Sequence, residues 1–118
     1  MRTCDESIVP TRVSWSSHLL NGVVESLRLR YPFVRVAVIG ASVLGRPLYQ
    51  MSIGRGPRRL GYNAAHHANE WITAPVLLKF LEQFACGVAR GDRLWLRLYE
   101  RFRLDVVPMV NPDGLEFT

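Results

Sequence analysis

The residues best suited to chemistry lie in the run Tyr62-Asn63-Ala64-Ala65-His66-His67-Ala68-Asn69-Glu70-Trp71. A histidine and a carboxylate three positions apart, spanning the end of a strand and the start of a helix, can converge on one point. Imidazole nitrogen and carboxylate oxygen are both good donors to Zn2+ at about 2.0–2.2 Å, and catalytic zinc typically takes three protein ligands plus a water. Glu70 falls at a helix start, where the backbone dipole favours its charged, ligating form. Neighbouring His66 and His67 point to opposite sides of an extended chain, so one of the two faces a shared centre. His67 has Glu70 at +3 whereas His66 has Asn69 there, and His67 is the candidate ligand. On spacing alone the same residues also fit a capping glutamate beside a loop histidine, so the surrounding elements must decide.

Those elements follow from periodicity. Leu19, Leu20, Val23, Val24 and Leu27 share one helical face and predict an amphipathic helix from about Ser14 to Arg30, with Ser14, Ser16 and Ser17 available as caps. Tyr31-Pro32 stops it, because the residue before a proline avoids the helical region. From Phe33 to Ile39 valines alternate in a β-branched run suited to a strand largely covered on both faces. A turn around Gly45 leads to a second strand, Pro47 to Ile53, predicting an antiparallel ribbon. Gly54-Arg55-Gly56-Pro57 marks the next turn, and a third strand from about Arg58 to Ala65 delivers the chain to His66 and His67.

The helical period returns at Ile72, Val76, Leu77, Phe80, Leu81, Phe84 and Val88. Pro75 is tolerated only in a first turn, which places the helix start near Glu70. Gly87 and Gly91 loosen or end that helix, and Leu94, Trp95, Leu98 and Phe102 suggest a shorter one. Leu104 to Val110 reads as a further buried strand, closed by the turn Asn111-Pro112-Asp113-Gly114. The order is that of an α/β layered sheet. Nothing after that turn is expected to cover the last strand's other edge or to complete a second helical layer.

At 118 residues the chain is one small domain, and 48% hydrophobic with 21% charged residues argues against disorder. No stretch approaches the roughly 18 apolar residues of a membrane-spanning helix, so no membrane partner is expected. Residues 1–13 form a polar lead-in open to disorder, and Met1 to Ser7 lacks the apolar core of a secretory signal. The expected location is therefore cytoplasmic, unless an extension before Met1 directs export. Cys4 and Cys86 are too few for a disulfide scaffold and too far apart for a redox or metal pair, and Cys86 reads as a small buried residue. The net charge of +5 makes a nucleic-acid-binding domain a rival reading. The arginines are scattered, however, and the tight group Arg55, Arg58 and Arg59 reads as a turn. Without an aromatic and basic stripe, no nucleic-acid partner is expected, and such a field also suits a carboxylate-bearing substrate.

Three segments in order carry a family resemblance: Ser42-Val43-Leu44-Gly45-Arg46-Pro47-Leu48-Tyr49, then His67-Ala68-Asn69-Glu70-Trp71-Ile72-Thr73, then Val107-Pro108-Met109-Val110-Asn111-Pro112-Asp113-Gly114. Together they resemble the zinc carboxypeptidase family over most of residues 33–118. With Tyr31-Pro32-Phe33, they look most like the bacterial γ-D-glutamyl-diamino-acid peptidases of cell-wall metabolism. The resemblance implies an α/β fold that is the N-terminal portion of a mixed sheet flanked by helices. It implies Zn2+ held by His67, Glu70 and a later histidine, with a peptide substrate, such as one derived from peptidoglycan, cleaved by a metal-activated water and a distant glutamate.

The sequence departs from that pattern in two ways. No residue after Glu70 is histidine, and the resemblance implies that the third ligand, the catalytic glutamate and the carbonyl-polarising arginine all lie beyond the Asn111-Pro112-Asp113-Gly114 turn, without a counterpart in these residues. Asn69 stands where carboxypeptidases often carry an arginine, which argues against generic carboxypeptidase substrate binding. His18 lies outside the matching segments and reads as a surface histidine, Trp71 as a packing residue, and Asn111 and Asp113 as turn formers. The chain is thus expected to be a partial catalytic domain, residues 1–118, inactive alone. The alternative is a non-catalytic remnant of the same fold. The resemblance also places the last strand beside the third, which leaves the third as an unpaired edge and predicts marginal stability and self-association.

Overall fold

The computed structural model describes residues 7–10, 17–63 and 73–108. Helix α1 (Ser17–Arg30) is followed by β1 (Arg35–Ala41), β2 (Pro47–Ile53), β3 (Arg58–Asn63), α2 (Thr73–Ala89), α3 (Arg93–Arg101) and β4 (Phe102–Val107). The four strands form one mixed sheet in the order β1-β2-β4-β3. β1 pairs antiparallel with β2, with an irregularity between Val38 and Gly40. β4 runs antiparallel to β2 and parallel to β3, from Arg58 opposite Phe102 to Asn63 opposite Val107. Among the described residues no helix is long and apolar enough to cross a membrane.

The core lies between one sheet face and the helices. Met51 and Ile53 of β2 face Val106 and Leu104 of β4 across the ladder, and all four are buried. They pack with Leu20, Val23, Val24 and Leu27 of α1, the face predicted from spacing, and with Ala74, Leu78, Leu81, Phe84 and Ala85 of α2. Tyr31, just past α1, is also buried and accepts at its carbonyl from Val34 N–H.

Several local expectations are corrected. β1 is an edge strand rather than one covered on both faces: Val38 and Ile39 are exposed because no layer lies against them among the described residues. On α2 the buried stripe is Ala74, Leu78, Leu81 and Ala85, while Val76 and Phe80 face outward. This helix is apolar around much of its girth, so periodicity alone mis-set its inner face. Phe80 is partly occupied by edge contacts with Phe84 and Trp95. β4 is not left with an open edge, since β2 and β3 flank it. Arg58 and Arg59 open β3, as a strand starting at about Arg58 requires, so that of the basic group only Arg55 lies in the turn.

Gly87 lies inside α2 and does not end it. A Cβ there would come 2.1 Å from the Trp95 ring, so glycine is what lets α3 seat its indole against α2. Asp92 caps α3 by accepting from Leu94 N–H at 3.1 Å. The turn between β2 and β3 is tied to the junction of α3 and β4. Arg55 N–H donates to the Tyr99 carbonyl at 2.9 Å and Gly56 N–H to the Phe102 carbonyl at 3.1 Å. A Cβ at Gly56 would fall 1.9 Å from the Arg101 carbonyl carbon, so that close approach also requires glycine.

Within the lead-in, Ser7 to Pro10 is packed structure rather than loose chain. Val9 is buried in the core. The Glu82 carboxylate of α2 accepts from the backbone N–H groups of Ile8 at 2.6 Å and Val9 at 3.2 Å. Cys86 is also not the simple buried thiol expected: it is half-buried and disulfide-bonded.

Candidate metal centre

His67 and Glu70, the proposed ligands, lie outside the described residues, as do His66, Asn69, Trp71, Asn111 and Asp113. What the structure establishes is the frame from which they depart. β3 ends at Asn63 and α2 begins at Thr73, with Pro75 in its first turn as expected. Residues 64–72 therefore join the carboxyl end of one strand to the amino end of a helix. β4 runs parallel to β3 and ends level with it, Asn63 opposite Val107. In open α/β sheets, ligands bind beyond the carboxyl ends of the strands. The His-x-x-Glu segment and the segment after Pro108 leave the sheet from this same end.

The hairpin that brings the chain to this frame is closed by its own loop. Ser42 N–H donates to the Arg46 carbonyl at 2.8 Å, and Arg46 N–H returns a bond to Ser42 Oγ at 2.9 Å. Pro47 then opens β2, as the Gly45-Arg46-Pro47 segment implied.

The sheet face away from the core carries one charged cluster. Asp105 of β4 accepts from Ser52 Oγ at 2.6 Å, Arg59 at 3.0 Å and Arg103 at 3.0 Å. Burial pushes its carboxyl up, but the hydrogen bonds from Ser52, Arg59 and Arg103 outweigh that and hold it below the usual carboxylate range. A carboxylate engaged by three donors is a structural anchor for β2, β3 and β4, not a free general base. Sequence reading passed over Asp105, although a lone carboxylate between Leu104 and Val106 signals a polar partner. Glu100 is likewise held below its ordinary value, chiefly by the Arg55 hydrogen bond. Arg55 and Arg59 are thus paired, with Glu100 and Asp105, rather than a bare basic patch.

Among the described residues no three His, Cys, Asp or Glu side chains converge as a metal cage. His18 is exposed on α1, beside Ile8, Pro10 and Leu19. The donor chemistry of His67 and Glu70, one imidazole and one carboxylate, fits Zn2+ as two of the three protein ligands of a catalytic site.

Comparison with known proteins bears on the same segment. A family model described as zinc carboxypeptidase matches residues 20–118. The chain is 40% identical over 98 residues to γ-D-glutamyl-L-diamino acid endopeptidase 1 of Lysinibacillus sphaericus, covering 78% of this chain and 24% of that protein. It is 28% identical over 90 residues to a zinc carboxypeptidase of Saccharothrix mutabilis subsp. capreolus, covering 71% of this chain and 20% of that protein. The chain thus spans about a quarter or less of these relatives' length. Its fold matches the crystal structure of thrombin activatable fibrinolysis inhibitor with a TM-score of 0.79 at 24% identity, covering 98% of this chain and 31% of that one. It matches carboxypeptidase A from Helicoverpa armigera with a TM-score of 0.70 at 22% identity, over 95% of this chain and 27% of that one.

Proposed function

The chain belongs to the zinc carboxypeptidase family, and on that premise we propose that His67 and Glu70 are two protein ligands of a zinc centre for peptide-bond hydrolysis. The substrate class we assign is the γ-D-glutamyl-diamino-acid linkage of cell-wall peptides. One observation carries the reading: the family match runs through His67-Ala68-Asn69-Glu70, on a segment that leaves the sheet beside the carboxyl ends of two parallel strands. The 40% identity to a γ-D-glutamyl-L-diamino acid endopeptidase supports the substrate class. Asn69, in place of an arginine, supports a substrate other than that of the generic carboxypeptidases.

When bound, Zn2+ supplies Lewis acidity toward a carbonyl oxygen and toward water. His67 serves this site as a neutral imidazole and Glu70 as a carboxylate, so acid that protonates His67 weakens metal binding. With two donors from the 118-residue sequence, the isolated chain is expected to hold zinc loosely and to lack peptidase activity. The remnant reading shares that expectation for the isolated chain and differs in a chimera. A chimera with this chain in place of the matching quarter of the Lysinibacillus sphaericus protein should cleave a γ-D-glutamyl-diaminopimelate peptide. It should lose zinc and activity together in His67→Ala and Glu70→Gln but not in His18→Ala. Zinc content unchanged in His67→Ala would overturn the ligand assignment, and preference for an α-linked peptide would overturn the substrate class.

A partner is assigned to the outer edge of β3, which among the described residues is paired on one side only. Leu60 and Tyr62 are exposed there, and a second copy of the chain is the proposed occupant.

A further inference from the structure

The amino-terminal strap is held against α2 by an unusual concentration of bonds on one carboxylate. Glu82 is 5% exposed, and it accepts from Ile8 N–H, Val9 N–H, Ser7 Oγ and Lys79 Nζ. Lys79 also donates to Ser7 Oγ. Cys86 follows Glu82 by four residues, one helical turn on, and so shares its face of α2. Ser7 and Cys86 line the same cavity, with Gln83, Arg90 and Trp95. Cys86 is disulfide-bonded, and the sequence contains two cysteines in all.

We propose that Cys86 pairs with Cys4 in a disulfide that staples the amino-terminal strap to α2, and that the protein matures where thiols are kept oxidised. Cys4 lies outside the described residues, but it precedes Ser7 by three, within about 10 Å of chain reach. The bridge closes a loop of about 80 residues that contains α1 and the first three strands, and so restrains most of the unfolded chain. Its formation takes one proton and one electron from each thiol. A disulfide of the glutathione class accepts both electrons and both protons and leaves as two thiols. Structural bridges of this kind persist in secreted or periplasmic compartments and are rare in a reducing cytosol. That location differs from the cytoplasmic one expected from Met1 to Ser7, and it is where a cell-wall substrate would be met. The staple itself is independent of the peptidase reading, because neither cysteine belongs to the candidate metal centre.

The test uses the full 118-residue chain refolded with a glutathione redox couple. Peptide mapping without reduction should yield one cross-linked species joining the Cys4 and Cys86 peptides, within a monomer. Reduction with dithiothreitol should lower the Tm by at least about 5 °C. Cys4→Ser and Cys86→Ser should each show that lower Tm with no further response to reductant. Cys4→Ser alters nothing in α2, so it remains informative if Cys86→Ser fails to fold. Thiol trapping with acid quench in the producing cell should find both cysteines blocked. Two free thiols in the refolded chain, a cross-link between chains, or a Tm indifferent to reductant would each overturn the staple. A reduced pair in the producing cell would overturn the compartment.

Discussion

The two central strands of the sheet are covered, and the two outer ones are largely open. In β2 and β4, Met51, Ile53 and Val106 have no solvent exposure at all. In β1 and β3, Val38 is 62% exposed and Tyr62 51%. β3 is the more polar strand, with Arg58, Arg59 and Asn63. β1, with Val36, Val38 and Ile39, is no less β-branched than β4, with Val106 and Val107, so composition does not separate those two. What separates them is whether α1 and α2 lie above. The strand that leads to His67 is thus among the least covered, and the part that holds the chain together is displaced from the part assigned to chemistry. In this protein the stability of the core and the competence of the site are separate properties, open to separate tests.

The largest effect should come from the covered centre. Leu81→Ala removes a fully buried side chain between α2 and the sheet and should cost about 2–5 kcal/mol, read from the denaturant midpoint. Leu60→Ala on β3 should cost less than about 1 kcal/mol in the same assay. Equal costs would show that β3 is covered in solution and would abolish the contrast. Next is Gly56→Ala, which sets a Cβ against the Arg101 backbone and should cost about 2–3 kcal/mol.

Asp105→Asn keeps a partner for Ser52 but gives up two charge-assisted bonds, for a loss of about 1–2 kcal/mol. The pH dependence sharpens this. Because the folded-state pKa of Asp105 is depressed, its contribution is complete above the ordinary value of 3.8 and is lost as pH falls through the lower folded value. The variant should therefore show a flatter loss of stability at acid pH, and an unchanged acid limb would contradict the cluster. Leu60→Lys should leave the fold intact while suppressing concentration-dependent association in sedimentation, and persistent association would move the contact away from β3. Glu100→Gln should be the smallest: its pair with Arg55 is exposed, and the unfolding midpoint should stay within experimental scatter.

Much of the fold was legible where the signal was local. The inner face of α1, the span Pro47–Ile53 and the first-turn position of Pro75 all follow from spacing and proline sterics. The pairing of the last strand with the third followed from the family resemblance. Illegible features depend on contacts between distant residues. The exposure of β1 depends on what packs against it, and the inner face of α2 depends on which apolar stripe meets Met51 and Ile53. The enclosure of β4 depends on β2 choosing it as a second partner. The capture of Ile8 and Val9 by Glu82 joins residues more than 70 positions apart. For the candidate site, residue types and spacing offered His67 and Glu70 but also left open a capping glutamate beside a loop histidine. The family resemblance chose the metal reading, and the structure adds the strand that precedes the segment and the helix that follows it.

The tie between the Arg55-Gly56 turn and the α3–β4 junction has an effect at the far end of the strands it precedes. β3 and β4 set off from one fastened point and run six residues each without a slip. The places where they release the chain are therefore kept abreast by bonds made a full strand length away. Loosening that fastening should stagger the two exits and impair any ion-holding arrangement built across them, with every donor atom still present.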